Sequence, residues 1–590
     1  MTKSGISFLL TISLVFFLGS MAVEFSFNGG DATEDIVRGD LGRKLDDYLA
    51  RITPFGFSGA LLVAKEGEIV LNKGYGEAIR SKKVPNTSGT VFSTGSITKQ
   101  FTAAGIMKLE MMDKLQTQDP LSKYFEDIPE DKKGITLHHL LTHSSGVVNV
   151  VGRDYDRAQR DETAGKILHT PLLFTPGKRF AYSNAGYSLL AAVIEKASGR
   201  KYEEFIDQHL FVPAGMEFTG YRLPKWEKKV VAHWYTGERD NGNPLEKPYP
   251  YWNLLGNGGI LSTTMDMYRW HLALLGDRVL NAEAKKKMFT PYLNEYGYGW
   301  DVIASERGLL IQHDGGSSLG SSAEMRRYID AGVVTILFCN QSYGNEVLFY
   351  PIRDKVEDLV FGANVVLPPK VKNVPVVELR KFEGSYKLEG GGLIKVRAKN
   401  QALHVSPDGQ EAVNALFAVG EALAEHFAKL NTLAEDVLNP ILSGDYDKLA
   451  AVLSDRKRRL GSVRQLIAMR LDKHAKRTGE IKKVIARVTL PAEFKEKRAA
   501  RTIIQFKGEK NSVYFIFFWQ DMMNVGVGPA MGVPDLSVPF QTLNGFEFAG
   551  YHLDMARNFR MAFLVDDKGI PVGLIIPSGS ERIRADRLGK

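Results

Sequence analysis

The sequence predicts an α+β protein built from two units. The first is an antiparallel sheet flanked by helices, with a helical region set between its strands. The second is a β-rich, barrel-like unit with a helical insertion. Three observations carry this reading. Strand-like runs occur near residues 59–72 and again at 309–338, with helical and loop segments between them. A stretch from Ala363 to Val377 holds Pro368, Pro369 and Pro375 and reads as a linker. Beyond it, strand patterns at 382–397 and from 501 onward bracket a helical stretch at about 411–477.

The elements follow from periodicity. Gly59 to Ala64 and Ile69 to Asn72 flank Lys65-Glu66-Gly67, a hairpin turn. A helix starts near Ser96 and runs to about Met112, because Ile97, Phe101, Ala104, Met107 and Met111 recur at three- and four-residue steps. A second helix spans Tyr187 to Ala197. Asp330-Ala331-Gly332 turns between Met325–Ile329 and Val333–Phe338, and a helix over Glu346 to Val360 closes the first unit, residues 40–362. The second unit is residues 378–590.

A chain of 590 residues with 44% apolar and 24% charged residues has the makings of a normal core. Residues 1–22 read as a signal peptide: Lys3, an apolar run from Ile6 to Leu18, then Ser20-Met21-Ala22. The run is short for a membrane span, and export to the periplasm or exterior is expected. An uncleaved N-terminal anchor is the alternative. Cys339 is the only cysteine, so no internal disulfide forms, and its apolar strand marks it as inert. The net charge of +8 is local: residues 455–487 carry twelve Lys/Arg against three acids. Leu460, Val463, Leu466, Ile467 and Leu471 interleave there at helical spacing, which favours a solvated helix face over a patch for an anionic surface.

Three short constellations carry chemistry. In Ser96-Ile97-Thr98-Lys99, one helical turn puts an amine within reach of a hydroxyl. A serine needs such a base, and the amine must be neutral to serve as one. At a helix start, the Ser96 N–H is free and the helix dipole favours developing negative charge. In Tyr182-Ser183-Asn184, residues two apart in an extended segment face one way, so a phenol and an amide converge. In His313-Asp314-Gly315-Gly316, a glycine-bearing strand edge admits substrate backbone, and the Gly316 N–H pairs with that of Ser96 as an oxyanion hole. Each signal alone is weak: an N-cap serine, a capping loop and a glycine turn would look the same.

Together, in this order, they resemble the Ser-x-x-Lys serine hydrolases of the class C β-lactamase and penicillin-binding protein type, in which the middle element is Tyr-x-Asn. Leu140 to Gly146, Asn257 to Thr263 and Tyr296 to Trp300 resemble further segments of that family. The resemblance implies a β-lactamase/transpeptidase-like fold with an all-helical subdomain beside the sheet and the site between them. It implies an acyl-enzyme at Ser96, proton transfer shared by Lys99 and Tyr182, and substrate held by Asn184, His313, Gly315 and Gly316. No cofactor and no metal are implied. Residues from 377 onward are similar to the lipocalin-like barrel that often follows such hydrolases.

One departure bears on substrate. His313 stands where penicillin-recognising members carry a lysine that binds a carboxylate, so a small ester or peptide amide is expected, as in esterase- or D-aminopeptidase-like members. β-Lactamase or D,D-carboxypeptidase activity is the alternative. A non-catalytic sensor of peptidoglycan or peptides is the alternative of another class. The expected partner is a small molecule or peptide and not a nucleic acid, with association to the cell envelope. Gly316 to Gly320 also fits the Gly-x-Ser-x-Gly elbow, but strand follows the turn where that motif needs a helix. His139 and His143, four apart, lack the glutamate of a zinc helix.

Overall fold

The computed structural model describes residues 35–342, 349–399, 401–453, 456–494, 497–520, 522–529, 536–552, 557–578 and 581–589. The apolar stretch at 6–18 lies outside them. Among the described residues, no helix is long and apolar enough to cross a membrane.

The first unit is a seven-stranded sheet. Its strands are β1 (Ile36–Val37), β2 (Gly59–Lys65), β3 (Glu68–Tyr75), β4 (Asp301–Ser305), β5 (Gly308–Ser317), β6 (Ser321–Tyr328) and β7 (Val333–Cys339). The spatial order is β1-β3-β2-β7-β6-β5-β4, all antiparallel. The N-terminal and C-terminal portions therefore meet at the β2–β7 pair, where Leu62 lies opposite Ile336. The β2–β3 hairpin turns on Glu66 and Gly67, at φ of 53° and 84°, a geometry that glycine adopts without penalty.

Alternation divides the sheet's faces. Leu61, Val63, Leu71 and Leu337 pack on α1 (Gly39–Ile52) and the C-terminal helix α5 (Phe349–Val360). Leu62, Ala323, Met325, Ile336 and Phe338 face the helical region, including α2 (Thr98–Met111), α3 (Asn184–Ser198) and α4 (Thr264–Leu275). Cys339 is buried at the end of β7, and burial pushes its thiol up to about 11, which leaves it protonated and inert.

The second unit is a closed eight-stranded antiparallel barrel, formed by Gly384–Leu388, Leu393–Lys399 and Ala402–Asp408 together with five strands between Val538 and Arg587. Between its third and fourth strands lies more than the helical stretch that periodicity marks. Helices at Gln410–Leu416, Glu421–Leu438 and Arg456–Thr478 are followed by a separate four-stranded sheet running from Ile481 to Pro529. The strand patterns at 503–506 and 513–517 thus belong to that sheet and not to the barrel. Alternation shows that a segment is a strand but not which strand it pairs with. Ile504, Phe506, Phe515 and Phe517 pack under the helices with Phe427, Leu430, Val463 and Ile467, so the basic helix has an apolar inner face. Val488, Leu490 and Ile503 turn instead to the barrel core.

The linker at 363–377 is held on both sides. Tyr551 Oη donates to Val366 O at 3.2 Å, Asn558 Nδ2 to Leu367 O at 3.1 Å, and Lys372 N to Thr542 O at 2.8 Å. Gln541 Nε2 donates directly across to Pro54 O at 2.8 Å.

Inside the barrel, Phe382 sits among Phe546, Phe548 and Phe563, with ring centroids 6.0, 5.1 and 4.5 Å away. Phe382→Ala is expected to cost roughly 3 to 5 kcal/mol, read as a lower urea midpoint.

Candidate active site

Ser96 lies in a 3₁₀ turn, Gly95–Ile97, that leads directly into α2. It is half-buried, whereas every other residue from Val91 to Gln100 is buried, so Ser96 is the position of that stretch that solvent reaches. The turn sits against β5 with almost no space between backbones. A Cβ on Gly315 would lie 2.5 Å from Ser96 N and closer still to Thr94 O. A Cβ on Gly95 would strike Gly316 N, and Gly95 also has φ of 53°. Glycine at 95 and 315 is therefore what lets the strand and the Ser96 turn touch.

Lys99, in the first turn of α2, is fully buried. Its Nζ lies 3.1 Å from Ser96 Oγ, 2.7 Å from Asn184 Oδ1 and 2.7 Å from Asn257 O. The rings of Tyr182 and Tyr187 stand 4.8 and 5.7 Å from it. Burial pulls the Lys99 amine well below the usual lysine range, and the charges of Asp154 and Asp314 oppose that without overcoming it. A neutral amine has two N–H bonds and one lone pair. The two carbonyl oxygens can take both N–H bonds, which leaves the lone pair for the Ser96 hydroxyl.

Tyr182 and Asn184 reach this amine from the start of α3. Ser183 is the N-cap: its Oγ accepts from Gly186 N at 2.9 Å and donates to Val148 O at 2.7 Å. This places Tyr182 in the extended segment before the helix and Asn184 as its first residue. Burial pushes the Tyr182 phenol up, while its bond to the Ser96 hydroxyl pulls the other way.

His313 lies on β5 and is 2% exposed. Burial, with the nearby Lys99, lowers its pKa to about 4, so the ring is neutral near pH 7. Its Nδ1 faces the carbonyl of Asp314, which can only accept, and its Nε2 lies 3.0 Å from Tyr296 Oη. The tautomer follows: Nδ1–H donates to the carbonyl, and Nε2 accepts from the tyrosine. Both ring nitrogens are satisfied within the protein.

The structure thus gathers Ser96, Lys99, Tyr182, Asn184, His313, Gly315 and Gly316 around one cleft. Three groups lie in segments that the sequence reading quoted without giving them a role in the site. Asn257 acts through its backbone carbonyl, which no side-chain pattern reveals. The signal was the glycine pair after it, with Gly259 at φ of 86°. Tyr296 orients His313. His143, at φ of 54°, accepts from Ser183 N at 3.1 Å through Nδ1 and lies 4.2 Å from the Tyr182 ring. His139 is engaged elsewhere, its Nδ1 accepting from Thr136 N in a capping box. Ser317 and Gly320 end one strand and lead into the next, so no nucleophile elbow forms.

Two predictions follow from this packing. Gly315→Ala displaces the Ser96 turn, and labelling of Ser96 by a fluorophosphonate should slow by about 10² or more, the loss typical of a misplaced oxyanion donor. The His313 pKa is lower in the folded chain than in the unfolded one, so the unfolded state binds more protons between pH 6.5 and about 4. Stability should fall as pH drops through that window, by roughly 2 to 4 kcal/mol from this residue. Urea titrations of the native chain and His313→Gln across the window measure the difference.

Residues 52–356 match the family model described as Beta-lactamase. Penicillin-binding protein 4* of Bacillus subtilis (strain 168) is 30% identical over 385 residues, which is 60% of this chain and 84% of that protein. The crystal structure of a penicillin-binding protein from Bacillus halodurans is 28% identical, with a TM-score of 0.44, and covers 52% of this chain and 98% of its own. An octameric penicillin-binding protein homologue from Pyrococcus abyssi is 22% identical, with a TM-score of 0.49, and covers 93% of this chain and 100% of its own. On the family match and the Bacillus subtilis relative, this chain belongs to the Beta-lactamase family and is a serine hydrolase of the Ser-x-x-Lys type.

Proposed function

We propose that this chain is an exported hydrolase that moves the acyl group of a small ester or peptide amide to water through Ser96. The observation that carries the reading is the Lys99 amine: fully buried, 3.1 Å from Ser96 Oγ, with two carbonyl oxygens positioned for its N–H bonds. Neutral Lys99 takes the Ser96 proton as Oγ bonds to the substrate carbonyl carbon. The N–H groups of Ser96 and Gly316 hold the resulting oxyanion. Collapse expels the alkoxide or amine, which receives a proton through Tyr182, and leaves an ester on Ser96. Water then attacks that ester, losing a proton to the same pair, and the acid leaves with Ser96 restored. Asn184 fixes Lys99 through its amide oxygen and lines the substrate's path.

The substrate class rests on His313. A neutral ring with both nitrogens engaged offers nothing to the carboxylate of a β-lactam. Hydrolysis of p-nitrophenyl esters and of D- and L-aminoacyl anilides should exceed that of a chromogenic cephalosporin. Ser96→Ala should abolish all of it, and efficient cephalosporin turnover would overturn the assignment. Lys99→Arg keeps a positive charge that never dissociates, so acylation should fall by about 10² to 10⁴, the usual worth of a general base. Burst kinetics read that step directly. A peptide sensor without turnover would show labelling of Ser96 and no product release.

A further inference from the structure

We propose that Asp314 makes the Ser96 cleft selective for a positively charged substrate over a neutral or anionic one. This rests on the acyl-enzyme reading above.

The strand pairing gives Asp314 its place. β5 pairs with β6 along its length to Ser317, but with β4 only as far as Gln312. From His313 onward no strand among the described residues pairs with its outer edge, and this segment is the one pressed against Ser96. An extended substrate docking there would lie along an edge that carries Asp314 between His313 and Gly315. The Asp314 side chain is anchored from α5, where Tyr350 Oη donates to its Oδ2 at 2.9 Å. Alternation turns this side chain to the α5 side of β5, away from His313 and Gly315, and from there its charge acts on Lys99, His313 and Tyr182 across the strand edge.

The charge around it is uncompensated. Asp154, Asp301 and Asp314 all lie close enough to act on one another or on Lys99. Among the described residues none of the three makes an ion pair. The nearby guanidiniums are engaged: Arg326 with Glu324 and Glu357, Arg353 with Asp354 and Glu324. Asp301, half-buried and facing Asp314, is pushed up to about 6. His313 is neutral, Lys99 is held low and Arg326 is shared with two glutamates, so among the described residues no unpaired cation balances the mouth. In such a partly desolvated cleft, a substrate cation gains from Asp314 and a substrate carboxylate is repelled.

Three fluorophosphonates that differ only in an ammonium, a neutral or a carboxylate tail test this on the full chain. Second-order rate constants for Ser96 labelling should fall in that order, by at least about tenfold from first to last at low salt, with compression at high salt. Asp314→Asn should bring the three rates toward one another, whatever it does to their absolute size. Asp314→Ser serves as a second uncharged variant if the first does not fold. Equal or reversed rates in the native chain would sink the inference, as would an order that survives loss of the carboxylate. Those results leave the hydrolase reading standing. Failure of all three probes to label Ser96 would bring down the acyl-enzyme reading itself.

Discussion

An amine buried away from water is the costly feature around which the first unit is organised. Lysine is almost never fully buried unless paired with a charge. Among the described residues Lys99 has no such pair; it is held by a side-chain amide, a backbone carbonyl and two tyrosine rings. Those partners come from segments far along the chain from Lys99: α3 with the residues just before it, and the loop at Asn257. Neutral donors and acceptors satisfy a neutral amine, whereas a carboxylate partner would have fixed it as a cation. The surrounding polarity decides whether the group is a base or a salt-bridge partner.

The same logic runs through the neighbouring histidines. His143, His271 and His313 are each lowered by burial, and each lies beside a cation or potential cation, Lys99 or Arg327. Neutral imidazole serves here as a rigid spacer with one donor and one acceptor. Each pays for its burial through specific contacts: Ser183 N on His143, Arg327 Nε on His271, Tyr296 and a carbonyl on His313. A lysine at 313 would have placed a second cation near Lys99. Replacing it with a neutral ring removes that repulsion and leaves Asp314 as the charge at the strand edge.

The second unit is attached through fixed contacts and not through a free tether. The proline-bearing segment gives up its carbonyls to Tyr551 and Asn558, and the Phe55 and Tyr551 rings meet at 6.1 Å. Within the insertion, a buried polar set ties helix to sheet. Gln410 and Asn431 bond to Thr489, Thr489 to Thr502, and Trp519 Nε1 to Thr502 Oγ1 at 2.8 Å. Such satisfied networks specify one arrangement among several that apolar packing alone would permit.

Local chemistry was enough to read the strand hairpins, the helix behind Ser96 and the three short segments that the fold brings together around Lys99 and β5. Those features depend on side-chain period, turn residues and spacing, all of which are local. Pairing is not local, so alternation at 503–517 did not tell a barrel strand from a separate sheet. Nor could spacing reveal the Asn257 carbonyl on Lys99, the open edge of β5 past Gln312, or the tautomer of His313. Each of these depends on which distant backbone comes to lie within about 3 Å, the reach of a hydrogen bond, and only the folded chain decides that.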